Sequence, residues 1–507
     1  MWSAFSEGWC CGPRSPETAP VRPSPYNHLV EASPGNVAPR ILSRPEHNIS
    51  RKNIDPEALK VLYRLKHGGF VAYLVGGGVR DLLLERPPKD FDIGTSAHPQ
   101  QVRKLFRNCF IVGRRFRLAH VRFGRKLIEV STFRRAAEPE AGDHLIRRDN
   151  TFGTPEEDAF RRDFTVNALF YDIANFSVID WVGGLEDLTA RVIRTIGDPA
   201  LRFREDPVRM LRAVALAARL DFTIDPDTAE AIRFLRGEIV RSSPARILEE
   251  LYKILRQGRS QRTFEMLHGY GLLAYLLPEA DRAIAEGGQA LAGSLARLDA
   301  HRQAGLATPD QLSNPLLMGS LLVPLGVPLR RVAVAVPPRR GGRTREPGAG
   351  EPAPADPELP REDLAAEIAE LGVEDEPLPA DEKDAAPLPL LLPFARRDLE
   401  RLRLVLLAQR RLREAHGPGT ARRMIAAKSY LDDAVRWLEI HGGPDGRELG
   451  TEWRELAAAP AGPLGEADPA APDRPAAADA PSEGDGKSRR RRRRRRRRPR
   501  SEPVPPA

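Results

Sequence analysis

Asp90 and Asp92 are the residues whose spacing first suggests chemistry. They flank one apolar residue in Lys89-Asp90-Phe91-Asp92-Ile93. Side chains alternate faces along a strand, so both carboxylates are predicted on one face, with Phe91 and Ile93 on the other. Two carboxylates so placed repel each other unless a cation lies between them. Upstream, Gly76-Gly77-Gly78 follows an apolar run over residues 71–75 that reads as a buried strand entering a turn. Residues 79–84 then read as a short helix stopped by Pro87 and Pro88. The free N–H groups of such a turn offer a place for phosphate. Oxygen ligands beside it suit Mg²⁺, which takes one or two carboxylates together with substrate phosphates and water. Either half alone reads equally well as a surface turn or hairpin, whereas the two in this order are far more specific. The turn is not a P-loop, because no Gly-Lys-Ser/Thr follows it, and it does not fit a dinucleotide fingerprint.

Three further groups are candidates. Glu129, in Leu127-Ile128-Glu129-Val130-Ser131, is the single acid between Gln101 and Arg135, a stretch that holds eleven Lys or Arg. It reads either as a third acid beside Asp90 and Asp92 or as an edge-strand glutamate paired to an arginine. Asp163 and Asn167 are four apart in a helix expected over 156–171 and would share a face. In Arg204-Glu205-Asp206-Pro207-Val208-Arg209, Asp206 reads as a helix N-cap with Pro207 as the first helical residue and Arg209 bonded back to it. That structural reading is complete without any function.

The elements that must position these groups follow from pattern. Asp55-Pro56 opens a helix with Leu59, Leu62 and Leu65 on one side, ended by Gly68-Gly69. Residues 99–107 read as a helix, 111–124 and 126–133 as two strands joined near Gly124-Arg125, and 135–155 as a loop. From residue 204 to about 277 the pattern is helical, continuing weakly to 325, and 388–415 with 421–441 form a last helical pair. The expected organisation is a disordered leader (1–45), a β-sheet head (46–180) and a helical neck (181–262). A helical body (263–327), a Pro, Gly and acid-rich linker or insertion (328–386), a C-terminal helical pair (387–445) and a disordered tail (446–507) follow.

Composition narrows the class. With 507 residues, 47 Pro and 41 Gly, the chain has room for several domains and for unstructured stretches. No apolar run approaches the length of a membrane span, so a soluble, cytoplasmic protein is expected. Cys10, Cys11 and Cys109 form no metal or disulfide pattern. Lys487, Arg489–Arg498 and Arg500 supply twelve positive charges, so a net charge of +9 leaves the rest of the chain slightly acidic. The basicity is a property of the tail. No internal repeat is present, and no His-Asp dipeptide marks an appended metal phosphohydrolase.

The Gly-Gly turn, the Asp-x-Asp strand, Arg162-Asp163 and Glu205-Asp206-x-x-Arg209 together resemble the nucleotidyltransferase family shared by bacterial poly(A) polymerases and CCA-adding tRNA enzymes. The likeness runs from about residue 49 to 277. It implies an α+β fold: a nucleotidyltransferase β-sheet head followed by all-α neck, body and tail domains, with disordered termini. It implies that Asp90 and Asp92 hold two Mg²⁺ ions, that Asp163 is a third catalytic aspartate and that Glu129 matches a further nearby acid. Gly76, Gly77, Arg80, Arg162, Asn167, Glu205, Asp206, Arg209 and Arg212 would bind ATP. A carboxylate and a guanidinium can pair with the amine-plus-acceptor edge of adenine or cytosine and reject guanine and uracil.

Residues 111–121, with Arg114, Arg115 and Arg117, are similar to a segment marking the poly(A) side of the family. They join Arg489, Arg490, Arg491 and Arg492 as expected RNA contacts. The implied activity is AMP transfer from ATP to RNA 3′-OH ends with release of pyrophosphate, in RNA polyadenylation and mRNA turnover. CCA addition and an inactive RNA-binding scaffold are the alternatives. Expected partners are ATP, mRNA and small-RNA 3′ ends, and RNA chaperone or RNA-degradation proteins, with the chain itself a monomer.

Overall fold

The computed structural model describes residues 38–113, 117–135, 151–327, 392–414 and 419–459. Its head is an eight-stranded mixed sheet built from β1 (Arg40–Leu42), β2 (Ala72–Val75), β3 (Asp92–Thr95), β4 (Cys109–Val112), β5 (Leu118–Phe123), β6 (Lys126–Thr132), β7 (Leu169–Asp172) and β8 (Ser177–Asp180). The order is β1-β8-β7-β2-β3-β6-β5-β4, with β3 and β6 parallel and every other pair antiparallel. Alternation divides its faces. Leu74, Ile93, Val130, Tyr171 and Val178 point into the main core with helix α1 (Pro56–His67), while Val75, Phe133, Phe170 and Ile179 form a second cluster on the opposite face.

Helix α1 starts where expected. The Asp55 carboxylate accepts the N–H groups of Glu57 (2.9 Å) and Ala58 (3.2 Å), Pro56 sits at the first position, and Gly68 ends the helix. Ala58, Val61, Leu62 and Leu65 are buried against the sheet. Each fully buried Val or Leu contributes roughly 1.5–3 kcal/mol. Helices α2 (Gly77–Leu83) and α3 (Pro99–Leu105) follow β2 and β3 directly.

Several expected boundaries move. The run over 111–124 is not one strand: β4 ends at Val112 and β5 begins at Leu118 to make an antiparallel hairpin. The expected helix over 156–171 breaks into α4 (Pro155–Phe160), a 3₁₀ turn Thr165–Asn167 and strand β7. The strand wins because Leu169, Phe170, Tyr171 and Asp172 are all buried between β2 and β8. The leader expected over 1–45 ends in order, since Arg40–Leu42 pairs with β8. The tail expected to be unstructured from residue 446 begins with a helix, Gly446–Ala458, because Trp453 is fully buried among Leu404, Ala408 and Leu412 and donates its indole N–H to the Leu412 carbonyl (3.1 Å). The linker 328–386 and the arginine run lie outside the described residues.

Beyond the sheet come α5 (Gly184–Ala190), β9 (Val192–Ile193), α6 (Pro199–Glu205), α7 (Val208–Leu220), β10 (Thr223–Ile224), α8 (Pro226–Leu235) and α9 (Pro244–Arg256). The two-residue strands β9 and β10 pair in parallel, and β10 falls within the stretch from residue 204 whose pattern reads as helix alone. Helices then continue through Leu322 and resume over Arg396–Glu414, Gly419–Ala426 and Leu431–His441. Among the described residues no helix is long and apolar enough to cross a membrane.

Candidate active site

The glycine turn is built by necessity. Gly76 has φ +74°, a conformation in which a β-carbon is strained, and its N–H donates to the Leu169 carbonyl (3.0 Å). A β-carbon on Gly78 would lie 3.1 Å from the Asp90 carbonyl oxygen, so α2 can press against the acid-bearing segment because that position is glycine. The strand itself starts at Asp92, and Asp90 lies just before it. The predicted alternation holds: Ile93 is buried, Phe91 packs partly buried against the same core, and both aspartates open into a cleft.

That cleft has a volume of ≈ 640 Å³ and gathers most of the sequence candidates: Gly76, Gly77, Arg80, Asp90, Asp92, Glu129, Arg162, Asp163, Asn167, Asp206, Arg209 and Arg212. Glu129 lies on β6, which is flanked by β3 and β5 and is not an edge strand. Its nearest ionisable partner is His120 at 3.8 Å on the facing strand, and burial lowers the basicity of that imidazole. Burial raises the Asp92 carboxyl to about 6, and Glu129 and Asp90 push the same way while Arg162 opposes them. Glu129 is raised too, by burial and then by Asp90. Three carboxylates thus crowd one side of the cleft.

Among the described residues no group of three or more His, Cys, Asp or Glu forms a metal cage by itself. An all-oxygen donor set of crowded carboxylates fits Mg²⁺ that shares carboxylates with phosphate and water.

The other side is cationic and tightly held. Arg80 is buried and donates through Nε to Asp81 (2.8 Å) and through Nη1 to the Asn167 side chain. Asn167 donates to Asp163 (3.2 Å), and Asp163 pairs with Arg212 of α7 (2.6 Å). This chain of contacts ties the glycine helix to α7. Burial works to raise Asp163, but Arg212, Asn167 and Arg209 hold it below the usual carboxylate range. Asp163 and Asn167 meet although no helix joins them, because the 3₁₀ turn folds one back on the other.

The Asp206 region differs from its sequence reading. Asp206 ends α6 and does not cap α7, whose first turn receives no side-chain bond. Its carboxylate takes both arms of Arg246 from α9 (3.0 and 2.8 Å). Arg209 donates to Glu205 (2.8 Å) and to the Arg202 carbonyl (3.0 Å), so Glu205 stands behind Arg209 and does not line the cleft.

Sequence reasoning missed the supports. Asp158 is buried and accepts the Arg134 N–H (3.1 Å), Arg161 Nε (3.0 Å) and Arg162 (2.9 and 3.1 Å). Its i,i+3 and i,i+4 spacing to two arginines was the available signal. Arg202 donates to the carbonyls of Arg161 and Arg162, both at 2.6 Å, locking α6 to the head. No local pattern marked Arg246, forty residues from its partner. Arg117 is exposed at the start of β5, and Arg114, Arg115 and Arg489–Arg492 lie outside the described residues.

Residues 72–194 match the family described as "Poly A polymerase head domain". Residues 221–284 match a second family, described as "Probable RNA and SrmB- binding site of polymerase A". Over 257 residues the chain is 54% identical to Poly(A) polymerase I of Salmonella typhimurium, covering 49% of this chain and 55% of that protein. It is 41% identical over 221 residues to the CCA-adding enzyme of Geobacillus stearothermophilus, covering 43% and 54%. The chain spans about half the length of the curated relatives it matches. The fold is similar to the crystal structure of Bacillus stearothermophilus CCA-adding enzyme in complex with CTP, at TM-score 0.51 and 26% identity over 80% of this chain and 82% of that one.

Proposed function

We propose that the chain is a template-independent poly(A) polymerase that transfers AMP from ATP to RNA 3′-OH ends and releases pyrophosphate. The observation that carries this reading is one cleft in which Asp90, Asp92 and Glu129 face Arg80, Arg162, Arg209 and Arg212. Such a cleft suits a triphosphate whose charge is met by cations while its α-phosphorus approaches the carboxylates. Two Mg²⁺ held at Asp90 and Asp92 would acidify the 3′-hydroxyl and bind the triphosphate, as in-line displacement requires. Arg80 and Arg162 would orient the phosphates, since their guanidinium groups are already fixed by Asp81 and Asp158. Asp163, kept ionised by Arg212, would position the sugar through Asn167. Asp206 and Arg209 would read the amine and ring acceptor of the base.

The choice of AMP over CCA addition rests on the higher identity to poly(A) polymerase I than to CCA-adding enzymes. CCA repair remains the second reading because the similar solved fold is such an enzyme with CTP. RNA ends, helped by the tail arginines, would be the acceptor, in a cytoplasmic, monomeric protein that works beside RNA chaperone or degradation proteins. The test offers each nucleotide singly with a generic oligoribonucleotide and with tRNA lacking its terminus. Long A tails on the generic RNA, lost in Asp90→Ala and Asp92→Ala, are expected. Ordered C, C and A addition restricted to tRNA would replace the first reading with the second, and no transfer under any metal condition would leave a binding scaffold.

A further inference from the structure

A second cavity, ≈ 650 Å³, opens on the sheet face opposite the carboxylates and shares no residue with the active cleft. Tyr171 belongs to that face, since its neighbour Phe170 points to the cluster under Arg162 while Tyr171 packs with Leu74 and α1. Ile49 and Tyr171 are its buried lining residues, Leu59, Tyr63 and Phe176 are half-buried, and Arg44, Arg51 and Lys52 are exposed at its rim. Among the described residues the lining holds three cations and three aromatic rings but no carboxylate.

The rings are placed with some effort. Phe176 closes the β7–β8 hairpin at φ +53°, where glycine or asparagine is favoured and a bulky side chain costs about 1 kcal/mol or more. His47 holds it there through a 2.8 Å contact between Nε2 and the Phe176 carbonyl oxygen. The Arg51 guanidinium then lies 4.7 Å from the Phe176 ring centre and donates Nη1 to the Tyr63 hydroxyl (3.2 Å). Arg44 is anchored to the His47 carbonyl (3.1 Å).

We propose that this cavity binds one nucleotide unit of single-stranded RNA, with a base against the Phe176 and Tyr63 rings and a phosphate on Arg44, Arg51 and Lys52. Aromatic faces accept any base, and a rim without acids attracts phosphate without reading sequence. The choice of RNA over a free nucleotide rests on the proposed polymerase function; the phosphorylated-base chemistry does not. The site would hold upstream RNA on the back of the head while the 3′ end is extended on the front.

The test uses the full chain and a short oligoadenylate carrying one photoreactive base, with cross-links mapped to peptides. Phe176→Gly removes the ring at a φ that glycine adopts freely, so folding is retained and is checked by its melting temperature. Labelling of peptides containing Tyr63 or Phe176 is expected to fall roughly tenfold in Phe176→Gly and in Arg51→Gln, and to persist in Asp92→Asn. An Arg44→Gln, Lys52→Gln pair should weaken the salt dependence of that labelling. Absent labelling, or labelling unchanged in these variants, overturns the proposal. AMP competing better than the oligonucleotide overturns RNA as the occupant. Labelling of a wild-type chain that transfers no nucleotide under any metal condition sinks only the polymerase reading.

Discussion

Asp92→Asn should make the metal-free protein more stable while abolishing AMP incorporation. In the folded chain burial, then Glu129 and Asp90, lift this carboxyl from 3.8 to about 6. Below the unfolded value the group is protonated in both states and costs nothing. As pH rises toward about 6 the unfolded chain ionises more readily, so the native state loses stability progressively and carries the whole penalty above that value. A shift of that size corresponds to about 3 kcal/mol. The uncharged amide has no such penalty, so the variant's advantage should grow from near zero at about pH 3 to as much as about 3 kcal/mol at pH 7.5. Chelated protein, melted across this pH range, gives the measurement. Mg²⁺ at pH 7.5 should then raise the wild-type melting temperature more than that of Asp92→Asn, because the ion relieves the same repulsion. A variant equally or less stable than wild type at pH 7.5, with no pH trend in the difference, would refute the claim that the carboxylates are crowded.

Asp158→Ala removes the buried acceptor shared by Arg161, Arg162 and the Arg134 N–H, and should cost about 3–5 kcal/mol in denaturant unfolding. Gly78→Ala puts a β-carbon 3.1 Å from the Asp90 carbonyl, so AMP turnover should drop at least severalfold while the melting temperature moves little. Arg246→Ala removes the two-armed contact to the carboxylate of Asp206, and competition between ATP and CTP should show a larger share of CMP incorporated.

Local sequence determined the parts whose physics is local. Asp55-Pro56 made its helix from a cap and a fixed φ, the glycine turn needed a positive φ at Gly76, and alternation set Asp90 and Asp92 on the side away from Ile93. Glu129 could be suspected because one acid stood among many cations. What local pattern misjudged was the type of element and the partner of a charge beyond it. Asp163 and Asn167 share a hydrogen bond through a 3₁₀ turn, residues 169–172 became strand because both neighbouring strands buried them, and Asp206 turned from a cap into the partner of Arg246. The resemblance named the opposing cations, but tertiary structure alone decided that Arg212 meets Asp163 and that Arg246 meets Asp206. A charge's partner is chosen by distance in space and by the cost of leaving it buried unpaired, and sequence spacing carries neither quantity across forty residues.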